Sequence, residues 1–191
     1  MLDAIAAVDR ARFVPAEYVG EAHVDVPIPI GFGQVTTQPS LVARMVAALG
    51  LGGSERVLEV GGGLGWQTAL LAALAREVWS VERLPELAAA GRTNLARAGV
   101  ENATVVVGDG TLGLPAHAPY DAILVSAAFP RVPPPLAEQA VAGGRLVQPI
   151  GPGGTDDVTL FVSGAGGGLE RVRSVSGAHF VKLYGAHAHR G

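Results

Sequence analysis

No cysteine occurs in the chain, which excludes disulfides, thiolate metal sites and a cysteine nucleophile. Lysine is almost missing too: Lys182 is the only one among 14 basic residues, a bias that reads as coding preference. Nowhere do 18 apolar residues follow one another, and the N-terminus carries Asp3 with no long apolar run. Neither a membrane span nor a signal peptide is therefore expected, and the compartment read from this is the cytoplasm. An excess of positive charge is also lacking, since the net charge is −3 and the pI is near 5.9. A nucleic-acid partner would ask for a basic face. No internal repeat divides the 191 residues, a length that suits one domain with a sizeable core.

What is present centres on Arg56-Val-Leu-Glu-Val-Gly-Gly-Gly-Leu-Gly65. Val57, Leu58 and Val60 are strand formers; glycines follow, then the Ala/Leu-rich segment Trp66 to Ala75 with helical spacing. The pattern is strand, tight loop, helix. Glycines remove the Cβ atoms that would keep a ligand off the backbone, and a helix start offers unpaired N–H groups. The dinucleotide fingerprint G-x-G-x-x-G would need glycine at 66, where Trp66 stands. Gly61, Gly63 and Gly65 instead spell G-x-G-x-G, a spacing familiar from S-adenosylmethionine-dependent methyltransferases. A second strand, Val78 to Val81, ends in Glu82, where a carboxylate can accept from both hydroxyls of a ribose.

Taken in order, the chain starts with an amphipathic helix over Met1 to Arg12, ending before Pro15. Pro27 and Pro29 then force an extended backbone, while Gly31 and Gly33 permit a tight reversal, so Asp25 to Gln34 reads as an ordered covering loop. Pro39 suits the first turn of a helix running to about Leu49. Thr36 and Thr37 lie just ahead of it, where one can cap the helix or both can help hold an anion. Further on, a helix over Pro85 to Ala98, strands over Ala103 to Val107 and Tyr120 to Val125, a helix around Leu136 to Val141 and a strand over Gly144 to Ile150 follow in alternation. Such alternation predicts an α/β fold, a mostly parallel sheet with helices on both faces. Val158 to Ser163, Leu169 to Val175 and Ala178 to Leu183 read as an antiparallel edge, with a hairpin tip at Gly164 to Gly168. The expected layout is one domain over residues 1–191. It comprises an N-terminal helix, loop and helix (1–50), a cofactor-binding core (51–150) and C-terminal antiparallel strands (151–191). Asp109 and Gly110 follow a core strand at the same sheet edge as the glycines and Glu82, which places Asp109 to meet an adenine amino group.

Eight motifs appear in sequence: Arg10-x-x-Phe13-Val-Pro15, Pro27-Ile-Pro-Ile-Gly31-Phe-Gly-Gln34, Gln38-Pro39-Ser40, Val57-Leu-Glu-Val-Gly61, Ser80-Val-Glu-Arg83, Gly108-Asp-Gly110, Ala118-Pro-Tyr-Asp-Ala122 and Gly143-Gly-Arg-Leu-Val147. Together they resemble the protein-L-isoaspartate O-methyltransferase family across nearly the whole chain. The resemblance implies a Rossmann-like class I methyltransferase fold with an added N-terminal helix and loop. It implies transfer of a methyl group from S-adenosylmethionine to the free α-carboxylate of L-isoaspartyl residues in damaged proteins or peptides, with S-adenosylhomocysteine as product and a succinimide as the next species in repair. By position, the cofactor would be met by Glu59, Gly61, Gly63, Leu64, Gly65, Glu82, Arg83, Asp109 and Gly110. The substrate would be met by Ile30, Gly33, Gln34, Val35, Thr36 and Gln38, with Thr37 in the catalytic position where the family usually has serine. A monomer without nucleic-acid, membrane or metal partners completes the expectation.

The chemistry asks for no dedicated base, because a carboxylate is ionised near neutral pH and a sulfonium methyl is already electrophilic. A hydroxyl at 37 and helix N–H groups would orient the carboxylate. Departures from the family pattern are Gly61-Gly-Gly-Leu-Gly-Trp66 for Gly-Thr-Gly-Ser-Gly-Tyr, which removes two hydroxyls near the cofactor, and Phe180-Val-Lys-Leu-Tyr184 for Phe-Val-Pro-Leu. They leave two alternatives: a methyltransferase dedicated to one peptide or a small carboxylic acid, or a cofactor-binding relative with little turnover. His187 and His189 read as a solvated tail and Trp66 and Trp79 as core or pocket wall, while Arg131 reads as solvated.

Overall fold

The computed structural model describes residues 2–166 and 168–190; Met1, at the start of the expected first helix, and Gly167, in the expected hairpin tip, lie outside them. Helix α1 is short, Leu2–Ala7. Asp9 ends it and accepts from Ala11 N at 2.9 Å, capping a 3-10 turn over Arg10–Phe13 in place of the continuous helix expected to Arg12. The proline-glycine stretch is a small hairpin, β1 (Pro29–Gly31) and β2 (Gln34–Val35). Gly31 (φ 86°), Phe32 (φ 54°) and Gly33 (φ 69°) turn it through the left-handed region, which is why glycines flank Phe32. Helix α2 (Pro39–Ala48) follows.

From there the alternation is regular: β3 (Arg56–Val60), α3 (Trp66–Ala72), β4 (Glu77–Glu82), α4 (Pro85–Arg97), β5 (Ala103–Val107), β6 (Tyr120–Val125), α5 (Pro134–Glu138), β7 (Ala140–Ile150), β8 (Asp156–Ser163) and β9 (Leu169–Ala178). The sheet order is β5-β4-β3-β6-β7-β8-β9, parallel through β7 and antiparallel for the last two pairs. Side chains alternate between its faces. Val57 joins Leu41, Met45 and Leu70 in one apolar layer, while Leu58 and Val60 join Tyr120, Ile123 and Leu136 in the other. Both faces are covered, which fits the mostly parallel class.

Two more expected elements differ. The helix placed at Leu136 to Val141 ends at Glu138, because Ala140 is already paired with Tyr120 as the start of β7. The strand expected over Ala178 to Leu183 does not form: β9 stops at Ala178 and the chain turns inward. Ala128 N donates to Val181 O and Leu183 N to Ala128 O, each at 2.8 Å, so these apolar residues are pinned beside the end of β6. Their apolar character serves packing over the sheet edge, not strand alternation.

Candidate active site

The C-terminal ends of β3, β4 and β6 open onto one crevice. Gly61 (φ 88°), Gly63 (φ 54°) and Gly65 (φ 94°) take the left-handed conformations that the glycine spacing required. Glu82, 7% exposed, accepts from Gly63 N at 3.0 Å through one oxygen and from Leu84 N at 2.9 Å through the other. A carboxylate has about four acceptor sites, so two remain for a ligand after it has fixed the loop. Gly61, Gly63, Leu64, Gly65, Glu82, Arg83 and Gly110 all line this first cavity, together with Ile30 and Gln34 from the hairpin.

Glu59 does not line it. The side chain is fully buried behind the glycine loop, accepting from Gln67 Nε2 at 2.9 Å, Thr68 Oγ1 at 2.5 Å and Ser80 Oγ at 2.6 Å. Burial pushes its pKa up, against the three donors that favour the anion. It is a positioning residue, correcting the direct cofactor contact expected for it. The same network explains Gly62: a Cβ there would lie 2.2 Å from Ser80 Oγ and 3.2 Å from Glu59 Oε2. A side chain at 62 would start against Ser80 and Glu59, so it could enter only if Ser80 moved.

Asp109 also departs from the expectation, for it does not line the first cavity. One oxygen accepts from Thr111 N at 2.9 Å and Thr111 Oγ1 at 2.6 Å, the other from Ala186 N at 2.7 Å. Burial acts to raise its pKa, but these hydrogen bonds outweigh it and leave the value lowered. Of the polar tail expected to be solvated, His187 is exposed, while His189 is half-buried, edge-on to Phe129 at 5.0 Å.

A second cavity adjoins the first between α2, β2 and the end of β9. Val35, Thr36, Thr37, Ser126 and Val181 line both, so they mark the junction, and Gln38 lines the second. Gly33 lines neither; it serves the hairpin turn. Neither threonine caps α2. Asp25 does so from the preceding loop, accepting from Ser40 N at 2.8 Å and Gln38 Nε2 at 2.8 Å, and its pKa is lowered first by the Ser40 N–H and then by Gln38. The next two N–H groups, of Leu41 and Val42, go to Gln38 O at 3.0 Å each. The helix N–H groups expected to meet a substrate carboxylate are therefore spent, which leaves that work to hydroxyls.

Two of the hydroxyls are held by the chain. Thr36 Oγ1 accepts from Arg10 Nη2 at 2.7 Å and from Ile28 N at 3.0 Å, so both lone pairs are used and its proton is left for a ligand. Ser126 Oγ accepts from Gln67 Nε2 at 2.8 Å, which ties it to Glu59 through the same amide. Arg10 and Gln67 were not legible as site builders, and Ser126 carries no local signal beyond following a core strand. Among the described residues no group of three or more His, Cys, Asp or Glu is placed to hold a metal ion, and no helix is long and apolar enough to cross a membrane.

The family model described as Protein-L-isoaspartate(D-aspartate) O-methyltransferase matches residues 1–188. Proteins named protein-L-isoaspartate O-methyltransferase are similar along nearly the whole chain. The one from Anaeromyxobacter dehalogenans (strain 2CP-C) is 53% identical over 184 residues, 96% of this chain and 88% of its own length. The one from Myxococcus xanthus (strain DK1622) is 49% identical over 187 residues, 97% and 88% of the two chains. A solved protein-L-isoaspartate O-methyltransferase superposes with a TM-score of 0.86 at 27% identity, covering 97% of this chain and 61% of that one. A Plasmodium falciparum structure, described as a complex with S-adenosyl-L-homocysteine, shares the fold with a TM-score of 0.76 at 22% identity, covering 95% and 88%. Matching from residue 1 to residue 188, and with relatives about half identical across nearly its full length, the chain belongs to the protein-L-isoaspartate(D-aspartate) O-methyltransferase family.

Proposed function

We propose that the first cavity takes S-adenosylmethionine and the second the L-isoaspartyl segment of a damaged protein or peptide, so that the free α-carboxylate is methylated where the two meet. The observation that carries this reading is the junction itself, walled by Thr36, Thr37 and Ser126. Two acceptor sites left on Glu82 suit the vicinal hydroxyls of a ribose, and the glycine loop beside it admits the amino acid portion. When bound, S-adenosylmethionine supplies an electrophilic sulfonium methyl. The chain's own part is alignment: hydroxyls of Thr36, Thr37 and Ser126 donate to the acceptor carboxylate without protonating it, holding one oxygen toward the cofactor side. The hairpin contributes Ile30, Gln34 and Val35 to the wall of the first cavity, and Val35 also to the second. The implied setting is a monomer in the cytoplasm with peptides as partners.

The test is transfer of labelled methyl from S-adenosylmethionine to two peptides that differ only in L-isoaspartate or L-aspartate at one position. Labelling of the first alone is expected. Cofactor binding with neither peptide labelled would overturn the substrate assignment and favour a dedicated acceptor or a binding protein. Thr37→Ser is expected to retain or raise turnover, since it keeps the hydroxyl and frees χ1. Thr37→Val should lower turnover by about 10- to 100-fold, the worth of one hydrogen bond to a charged group, with cofactor affinity nearly unchanged. Equal rates for all three would remove Thr37 from the mechanism.

A further inference from the structure

Resting on the reading that the second cavity takes the peptide, we infer that Arg44 selects among isoaspartyl segments, favouring those that carry an aspartate or glutamate side chain about two or three residues from the methylated carboxylate. The chain as a whole is acidic, with a net charge of −3. The wall of this cavity is not. Among the described residues that line it there is no carboxylate, and Arg44 is the one arginine or lysine. Arg44 makes no ion pair among the described residues, and its guanidinium has one hydrogen bond there, from Nη1 to Ser176 Oγ at 3.3 Å. A guanidinium carries five N–H donors, so about four remain. Asp25 does not claim them. Its two oxygens accept from Ser40 N and Gln38 Nε2 at the start of α2, and its pKa is lowered first by the Ser40 N–H, then by Gln38, and only last by the charge of Arg44.

Helix geometry sets the distance. Ser40 and Arg44 stand one turn apart on α2, so their side chains share a face, and both line the cavity. From Thr37 at the junction to Arg44 the chain advances about 10 Å at helical rise. An extended peptide covers that span in about three residues. Side chains on a helix lean toward its N-terminus, so the guanidinium can shorten the span by about one residue. Across from α2 the wall is made by Ser176, Gly177 and Ala178 at the end of β9, small residues that leave room for a peptide backbone beside Arg44. The Ser176 hydroxyl accepts from Arg44 and so ties the guanidinium to this second wall. A fork of N–H donors held there recognises a carboxylate and repels an ammonium. Arg44 is exposed, at the mouth of the cavity and not its floor, so the pair it forms has the strength of a surface ion pair.

Initial rates of methyl transfer to otherwise uncharged isoaspartyl peptides test this, with Glu, Gln or Lys placed two or three residues before or after the isoaspartyl residue. At one or more of these positions Glu is expected to give about two- to fivefold higher kcat/KM than Gln, and Lys a similar factor lower. The change should fall mostly on KM, since such a pair holds ground state and transition state alike. Arg44→Gln should bring the three peptides together, and Arg44→Glu should reverse their order. Ratios between peptides are taken within each protein, so a loss of folding or turnover common to all of them cancels. Equal kcat/KM for the Glu and Lys peptides at all four positions in the unchanged protein would overturn the inference, as would a preference for Glu that persists in Arg44→Glu. If the unchanged protein labelled no isoaspartyl peptide at all, the substrate reading would fall and the inference with it.

Discussion

Replacing Arg10 with leucine is expected to lower stability by about 2–4 kcal/mol and to cut kcat/KM for an isoaspartyl peptide by more than about tenfold. Arg10 is 3% exposed and makes no ion pair among the described residues. Its guanidinium instead donates to Ala22 O at 3.1 Å, Val24 O at 3.3 Å, Val26 O at 3.1 Å, Thr36 Oγ1 at 2.7 Å and Thr37 O at 3.5 Å. One planar group thus ties the loop that carries Asp25 to the strand end that carries Thr36. Burial lowers its pKa and the charge of Asp25 partly restores it, so the cation is kept. Leucine would fill volume and end the desolvation of a charge, but it would leave four carbonyls without this donor and the Thr36 hydroxyl with Ile28 N alone. Arg10→Lys should fall between, since an ammonium has three donors and no fork to span these acceptors. Cofactor affinity should fall less than peptide kcat/KM, because the hydrogen bonds lost lie on the substrate side and only the cation-π contact of Arg10 with Trp66, at 5.4 Å, reaches the glycine loop. Urea unfolding and separate measurements of peptide kcat/KM and S-adenosylhomocysteine affinity check this. A parallel tenfold loss of both affinities would show that Arg10 supports the whole crevice.

Glu59→Leu is expected to be comparably damaging, at about 2–4 kcal/mol, because it leaves the hydroxyls of Thr68 and Ser80 and one N–H of Gln67 without their acceptor in a dry interior. The glycine loop sits directly on this network, so cofactor affinity should fall too. Glu59→Gln is the informative control, since hydroxyls can turn to accept from the amide and most of the network can reform. The two also differ with pH. Burial raises the pKa of Glu59 above its unfolded value, with the nearby charge of Glu82 adding to the rise. A proton is therefore held more tightly by the folded chain. The stability this contributes is fully present below the unfolded glutamate pKa, about 4.3, and is lost as pH rises through the folded value. Glu59→Gln should remove that component, so the difference in unfolding free energy between parent and variant should shift toward the variant as pH rises from about 4. A difference that stays flat between pH 4 and 9 would mean that the three donors cancel burial.

Much of the frame was legible because its causes are local. Apolar alternation in Val57 to Val60, Ala103 to Val107 and Tyr120 to Val125 marks strands whose bounds match or nearly match those observed. Gly61, Gly63 and Gly65 declare left-handed backbone by lacking a Cβ, and Pro39 declares a helix start. Glu82 follows its strand directly, so its place at the sheet edge is set by strand direction alone.

What the tertiary structure alone decided is which polar groups face the crevice and which are spent on the chain. Glu59 and Glu82 both end or nearly end core strands next to the same loop, yet pleat direction and the arrival of Thr68 and Ser80 turn one inward and leave the other on the cavity wall. Asp109 looked like a ligand contact until Ala186, 77 residues later, arrived to take its oxygen. Asp25 caps a helix 15 residues away, and Arg10 reaches Thr36 across 26. By itself the sequence determined the sheet, the glycine loop and the family, since backbone geometry is encoded by neighbours. Hydrogen-bond partners that meet only after folding decided the rest, because a carboxylate or guanidinium reads the same in sequence whether it awaits a ligand or its own chain.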